Sequence, residues 1–116
     1  MKTRRGDVIL VLFPNSDLRT AKRRPALVLQ RDNLASGLEQ TIVAMVSSNP
    51  ARAKHRSRVA IPLGSPASRA SGLRLNSWVM TDNLATVLDA EVDSILGRMP
   101  DMSEAEAALK YTLALP

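Results

Sequence analysis

Apolar residues occur in short runs divided by polar stretches that carry proline or glycine, and most of the runs have the length of a strand. Residues 6–13 (GDVILVLF) are apolar and β-rich and are stopped by the turn sequence Pro14-Asn15-Ser16-Asp17. Residues 26–30 (ALVLQ) follow Pro25, which suits a strand start because proline has no N–H for a ladder. Residues 41–48 (TIVAMVSS) are nearly continuous in hydrophobicity, which predicts a strand buried on both faces. Residues 57–62 (SRVAIP) alternate like a half-exposed strand, and 73–81 (LRLNSWVMT) predict a longer one that 84–87 continue past a bend. Residues 31–40 read as a loop or helical turn, and 64–72, rich in Ser, Pro, Ala and Gly, as a connecting loop.

Towards the C-terminus the period changes. Ser103-Glu104-Ala105-Glu106 has the form of a capping box, and Ala105, Ala108, Leu109, Thr112 and Leu113 follow at helical spacing. This predicts a helix from Ser103 to about Leu115. Residues 92–99 are ambiguous: Val92, Ile95, Leu96 and Met99 have helical spacing, but the run is short and holds Gly97. Five or more short strands with one terminal helix predict a mainly β fold, a small barrel with the helix packed on it. A length of 116 residues fits a single domain, 1–116.

Composition narrows the classes. Cysteine is absent, which excludes disulfide frameworks, thiolate zinc sites and cysteine nucleophiles. The N-terminus MKTRRGDVILVLF has a signal-like order of basic then apolar residues, but the apolar run ends at Pro14 without a small-residue cleavage site. It is also far short of the roughly 20 residues of a membrane span. The expectation is a soluble, cytoplasmic protein with no membrane contact. Sixteen basic residues against eleven acidic give a formal charge of +5, and the basic ones cluster. Lys22, Arg23 and Arg24 form one group, and Arg52, Lys54, His55, Arg56 and Arg58 another, while the chain from Asp82 onward is net acidic. Such clusters are either solvated surface or a phosphate-attracting footprint.

With one histidine and no acidic pair at ligand spacing, no metal site and no cofactor are expected. His55, crowded by cations, is a poor base, and no glycine-rich phosphate loop is present. Arginines, hydroxyls and a few carboxylates remain. Arg24 precedes Pro25, which restrains its backbone towards an extended conformation and anchors a permanent planar cation suited to phosphate. Ser47 ends an apolar strand, where a hydroxyl can donate to a phosphoryl oxygen. The plain alternatives are a solvated arginine and a serine that satisfies a turn.

Arg5-Gly6-Asp7-Val8, then Arg24-Pro25-Ala26-Leu27-Val28, then the strand 42–47, Ser71-Gly72-Leu73 and the closing Leu113-Ala114-Leu115 resemble the MazF/PemK (Kid) toxins over nearly the whole chain. The resemblance implies an SH3-like, PemK-type barrel, a homodimer, and a metal-independent endoribonuclease that cuts single-stranded RNA at short motifs. It also implies a cognate antitoxin, expected to bind through an acidic disordered segment. The family's catalytic arginine and strand-end hydroxyl fall on Arg24 and Ser47. In some members a later strand carries a catalytic arginine and, two residues on, an aspartate; here Asp82 keeps the carboxylate and Met80 replaces the arginine. The loop before Arg24 lacks the usual His and Glu, and the usual Arg-Thr after the later strand is Ala85-Thr86. The family pattern also makes 94–99 a strand.

The implied chemistry is attack of a ribose 2′-OH on the adjacent phosphate, with Arg24 and Ser47 stabilising the charge and Asp82 or His55 available for proton transfer. Arg23, Arg52, Lys54, His55, Arg56 and Arg58 are the expected RNA-gripping set. Specific RNA readers need stacking surfaces, and Phe13, Trp78 and Tyr111 are the only Phe, Trp or Tyr residues; Trp78 reads first as a core or dimer-interface residue. Two rivals remain: a CcdB-like, non-catalytic gyrase poison on the same kind of barrel, and a degenerate member that only binds RNA or antitoxin.

Overall fold

The computed structural model describes Met1–Pro116 throughout. Strand β1 (Asp7–Pro14) is buried on both faces, as its unbroken apolar run requires. Val8 joins a core on one side, while Ile9, Val11 and Phe13 join a second core on the other. Around it run β2 (Ala21–Val28), β3 (Gln40–Ser47), β4 (Arg58–Ile61), the short helix α1 (Pro66–Ser71), β5 (Ser77–Leu88), β6 (Val92–Arg98) and helix α2 (Ser103–Leu113). The strands form one sheet in the order β4-β5-β3-β2-β1-β6, with every pairing antiparallel. Strands β4 and β6 remain its edges, so the expected closed barrel is corrected to an open sheet. The sheet curls far enough for Val87 of β5 to share a core with Val11 and Phe13 of β1. No helix is long and apolar enough to cross a membrane.

Strand β5 reaches both cores through a bulge. Its register on β3 runs from Met45↔Met80 to Ala44↔Leu84, leaving Thr81, Asp82 and Asn83 unopposed. An odd number of extra residues reverses which side chains face which side. Val79 therefore packs in the core with Ala44 and Val46, and Val87 in the core with Val43. Thr81 bonds instead to Ser57 O through its N–H (3.0 Å) and its hydroxyl (2.6 Å).

Four local readings are changed or decided. The basic cluster Lys22–Arg24 lies inside β2 and not in a loop before it. Residues 64–72 contain α1, capped by Ser65, whose side chain accepts from Ser68 N at 3.1 Å. Residues 92–98, ambiguous in their spacing, are a strand, as the family pattern makes 94–99, with Ile95 and Leu96 exposed on an edge. Glycine there has a packing cause: a Cβ on Gly97 would stand 2.3 Å from Ala70 O, and one on Gly72 2.2 Å from Leu96 O. Helix α1 thus lies backbone-to-backbone on β6. Finally, no capping box forms. Ser103 is the first helical residue, Asp101 Oδ1 accepts its N–H at 2.9 Å, and Glu106 pairs with Arg5 at 3.2 Å. Of the helical face read in the sequence, Ala105 and Ala108 are buried.

Arg5-Gly6-Asp7 is structural. Gly6 turns with φ +92°, the nearly buried Asp7 pairs with Arg98 at 3.0 Å, and the Arg5 guanidinium donates to Leu29 O.

Candidate functional site

Pro25 opens the site. Leu29 N–H donates to Ile42 O, so by the two-residue period of a strand the Pro25 nitrogen also faces β3 and has no proton to give. Pairing between β2 and β3 covers only Ala26↔Met45 to Val28↔Val43 and ends beside this residue. Continued two residues past Ala26↔Met45, the same register sets Arg24 opposite Ser47 on one face of the sheet, where the strands have parted. The gap is a cleft of about 590 Å³, lined by Asn15, Asp17, Arg24, Met45, Ser47, Asn49, Arg52, Met80 and Asn83 among others.

Arg24 is half-buried and donates to Asn15 Oδ1 at 3.1 Å, which leaves most of its N–H donors for a ligand. Ser47 Oγ accepts from Asn49 N at 3.1 Å, so the hydroxyl proton is free to point into the cleft. Asn49 then caps the 3₁₀ turn Pro50–Arg52 by accepting from Ala51 N, and this turn brings exposed Arg52 to the rim. The floor is apolar. Met45 and Met80 are cross-strand partners, and Asn83 Nδ2 lies 3.6 Å from Met45 Sδ.

One anchored cation, Arg24, and one exposed rim cation, Arg52, therefore face an uncharged floor, which suits an anion attached to a flat, partly apolar group. The only carboxylate in the lining is Asp17. The backbone amides of Arg19 and Thr20, with the Thr20 hydroxyl, hold its carboxyl below the usual range. It is a fixed negative charge and a weak base.

The remaining expected residues sit elsewhere. Asp82 is outside the lining and receives the Arg58 guanidinium fork, Nε to Oδ1 at 3.0 Å and Nη2 to Oδ2 at 2.8 Å. The hydrogen bond from Arg58 holds the Asp82 carboxyl below its ordinary range despite partial burial. Arg58 also donates to Arg52 O at 3.0 Å. His55 Nδ1 accepts from Ser57 N at 3.1 Å and lies 2.7 Å from Ser57 Oγ; its ring faces Tyr111 of α2. The Arg56 guanidinium carbon stands 3.9 Å from the Tyr111 ring centre. Arg23 is exposed and pairs with Asp93 at 3.4 Å, and Lys54 is exposed with φ +65°. Of the aromatics, Phe13 is core and Trp78 lies opposite Ser47 in the ladder, half-buried and outside the cleft lining.

A family model described as PemK-like, MazF-like toxin of type II toxin-antitoxin system matches residues 4–113. The chain belongs to this toxin family. Among solved structures, this toxin is similar to an endoribonuclease from a mycobacterial species, with TM-score 0.73 and 22% identity over 98% of this chain and 93% of that one. An endoribonuclease in complex with its cognate antitoxin, also mycobacterial, gives TM-score 0.75 and 20% identity over 99% and 98%. MazF from Deinococcus radiodurans gives 0.69 and 19% over 98% and 97%. At such identities these likenesses bear on the fold. No curated protein sequence matches the toxin.

Sequence reasoning found Arg24, Ser47 and Arg52 but missed Asn15, Asn49, Met45 and Asn83 as cleft residues. Asn15 was legible only as part of a turn. Asn83 enters the cleft through the bulge in β5, which leaves no mark in hydrophobic patterning.

Proposed function

We propose that this toxin, as one domain spanning residues 1–116, is an endoribonuclease that cleaves single-stranded RNA at short motifs without a metal ion. The single observation that carries this reading is that Arg24 and Ser47 line one cleft where the β2–β3 ladder ends. The 2′-oxygen of a ribose attacks the adjacent phosphorus, and the bond from phosphorus to the next 5′-oxygen breaks. The products are a 2′,3′-cyclic phosphate and a 5′-hydroxyl. The proton lost by the 2′-hydroxyl leaves to solvent, and the departing 5′-oxygen takes one from solvent. Arg24 and the Ser47 hydroxyl donate to the phosphoryl oxygens, on which charge grows in the transition state. Asn15 keeps the Arg24 fork aimed. Arg52 steers the neighbouring phosphate, while Met45, Met80 and Asn83 meet a base, the amide supplying hydrogen-bond choice and the thioethers an apolar bed.

The cleft is also where we place the cognate antitoxin, as an acidic, partly apolar segment that competes with RNA. Exposed Leu63, Ile95 and Leu96, around a hollow on the opposite face beside Pro25, support self-association as a homodimer.

Incubation of the purified protein with a long single-stranded RNA in excess EDTA tests this reading. Discrete fragments with cyclic-phosphate ends are expected. Activity lost on chelation and restored by a divalent ion counts against the metal-free chemistry. Intact RNA together with trapped gyrase–DNA complexes points to the poison instead.

A further inference from the structure

We infer that Asp82 is a positioning residue, which acts through Arg58 to hold the two walls of the cleft in register. This rests on the nuclease reading for its consequence but on geometry for its substance. One wall is the turn Asn49–Arg52, and the other is the bulge Thr81–Asn83. They belong to different parts of the chain, and the β3–β5 ladder does not fix the bulge, whose residues have no ladder partners on β3 and touch it only through the weak Asn83–Met45 contact. Arg58 supplies the link. Its guanidinium grips both Asp82 oxygens (3.0 and 2.8 Å), and its remaining terminal nitrogen donates to Arg52 O at 3.0 Å, on the turn that carries Arg52 to the rim. The Arg58 side chain is only 16% exposed, so its end of the fork is held in place, while the Asp82 carboxylate, 34% exposed, meets solvent. Thr81 makes the second stitch, to Ser57 O beside Arg58. Asp82 does not line the cleft, while its neighbour Asn83 does. Both Asp82 oxygens accept from Arg58, and the carboxylate stands outside the cleft, away from an RNA bound there. It sets where Asn83 and Arg52 stand.

The test combines amide exchange with single-turnover cleavage for Asp82→Ala, Arg58→Ala and the double variant, with Asp82→Asn as a milder substitution should alanine impair folding. Each single change should speed exchange in residues 49–58 and 81–83 while α2 stays protected. Each should lower kcat/KM by about 10- to 100-fold, mainly through KM, since the rim is loosened and Arg24 is untouched. The double variant should be no worse than the worse single variant, because both remove the same link. Unchanged exchange in these segments overturns the inference. So does a rate at saturating RNA that collapses in Asp82→Ala with KM unchanged, the mark of direct proton transfer, or a double variant showing the product of both losses. If the wild type leaves RNA intact, the nuclease reading falls, and the exchange result still decides whether Asp82 holds the walls.

Discussion

The two ends of the basic stretch Arg52–Arg58 differ more in structure than in sequence. At one end Arg52 stands exposed on the cleft rim, facing the half-buried Arg24. At the other, Arg58 is spent on Asp82 and the Arg52 carbonyl, and Arg56 lies over Tyr111. His55 is tied to Ser57. The charge is similar at both ends, but the capacity to bind an anion is not. Arg58, with three of its five N–H groups donating, and Arg56, held against a ring face, must give up a contact to bind phosphate closely, and otherwise offer it their field, which salt screens. The cleft pair has its donors free, Arg24 half-buried and Arg52 open on the rim, and can direct hydrogen bonds at one anion. Counting cations in a sequence therefore overstates the RNA footprint, and what matters is which side chains their neighbours leave unengaged.

Arg24→Ala should break this contrast hardest, with cleavage falling about a hundred-fold or more while fold and self-association persist. A near wild-type cleavage rate removes Arg24 from the site. Ser47→Ala should cost less, about ten-fold in single-turnover rate at saturating RNA, the lower end of what one hydrogen bond to a charged oxygen is worth, about 1.5 kcal/mol. Ser47→Thr should keep most of the rate, because the hydroxyl returns on a residue that suits a strand. An alanine variant with an unchanged rate leaves Ser47 as a turn-satisfying serine. Neutralising Arg52 or Lys54 should reduce the log–log salt slope of RNA affinity by about 0.7 for each phosphate no longer neutralised. Arg56→Gln should barely move it, and equal slopes would erase the distinction between the two ends.

The smallest expected effect is on stability at low pH. Arg58 lowers the Asp82 pKa in the folded protein, so its stabilisation is complete above the ordinary carboxylate pKa of about 4. It is lost as pH falls through the lowered value. Asp82→Asn should therefore flatten this part of the acid limb in a urea-melt series, and an unaltered limb would show the pair to be worth nothing measurable.

Most strands were legible because their apolar runs are short and end in turn residues. The site was legible in its arginine and its hydroxyl, since proline after Arg24 and the polar end of β3 both mark where a ladder stops. What stayed hidden were features set by non-local geometry. The spacing of Val92, Ile95 and Leu96 could not decide between helix and strand because Ile95 and Leu96 are exposed on an edge strand, so it reports no buried face, and the family pattern alone pointed to the strand. Ser103 looked like a cap because Asp101, two residues earlier, does the capping at a position the motif does not test. The fates of Arg58 and Asp82 depend on an ion pair across 24 residues that no local pattern announces.

The bulge in β5 also bears on how this gene can change length. Residues opposite one another in an antiparallel ladder share a face, so Thr86, Val87 and Leu88 take their facing from Ile42, Thr41 and Gln40 and not from the number of residues in the bulge. Loss or gain of a codon among Thr81–Asn83 therefore leaves Val87 buried and Leu88 exposed, and alters only the reach of the wall that bears Asn83. Across relatives, insertions and deletions should collect at this point, making the segment a place where cleft width varies while the core stays the same.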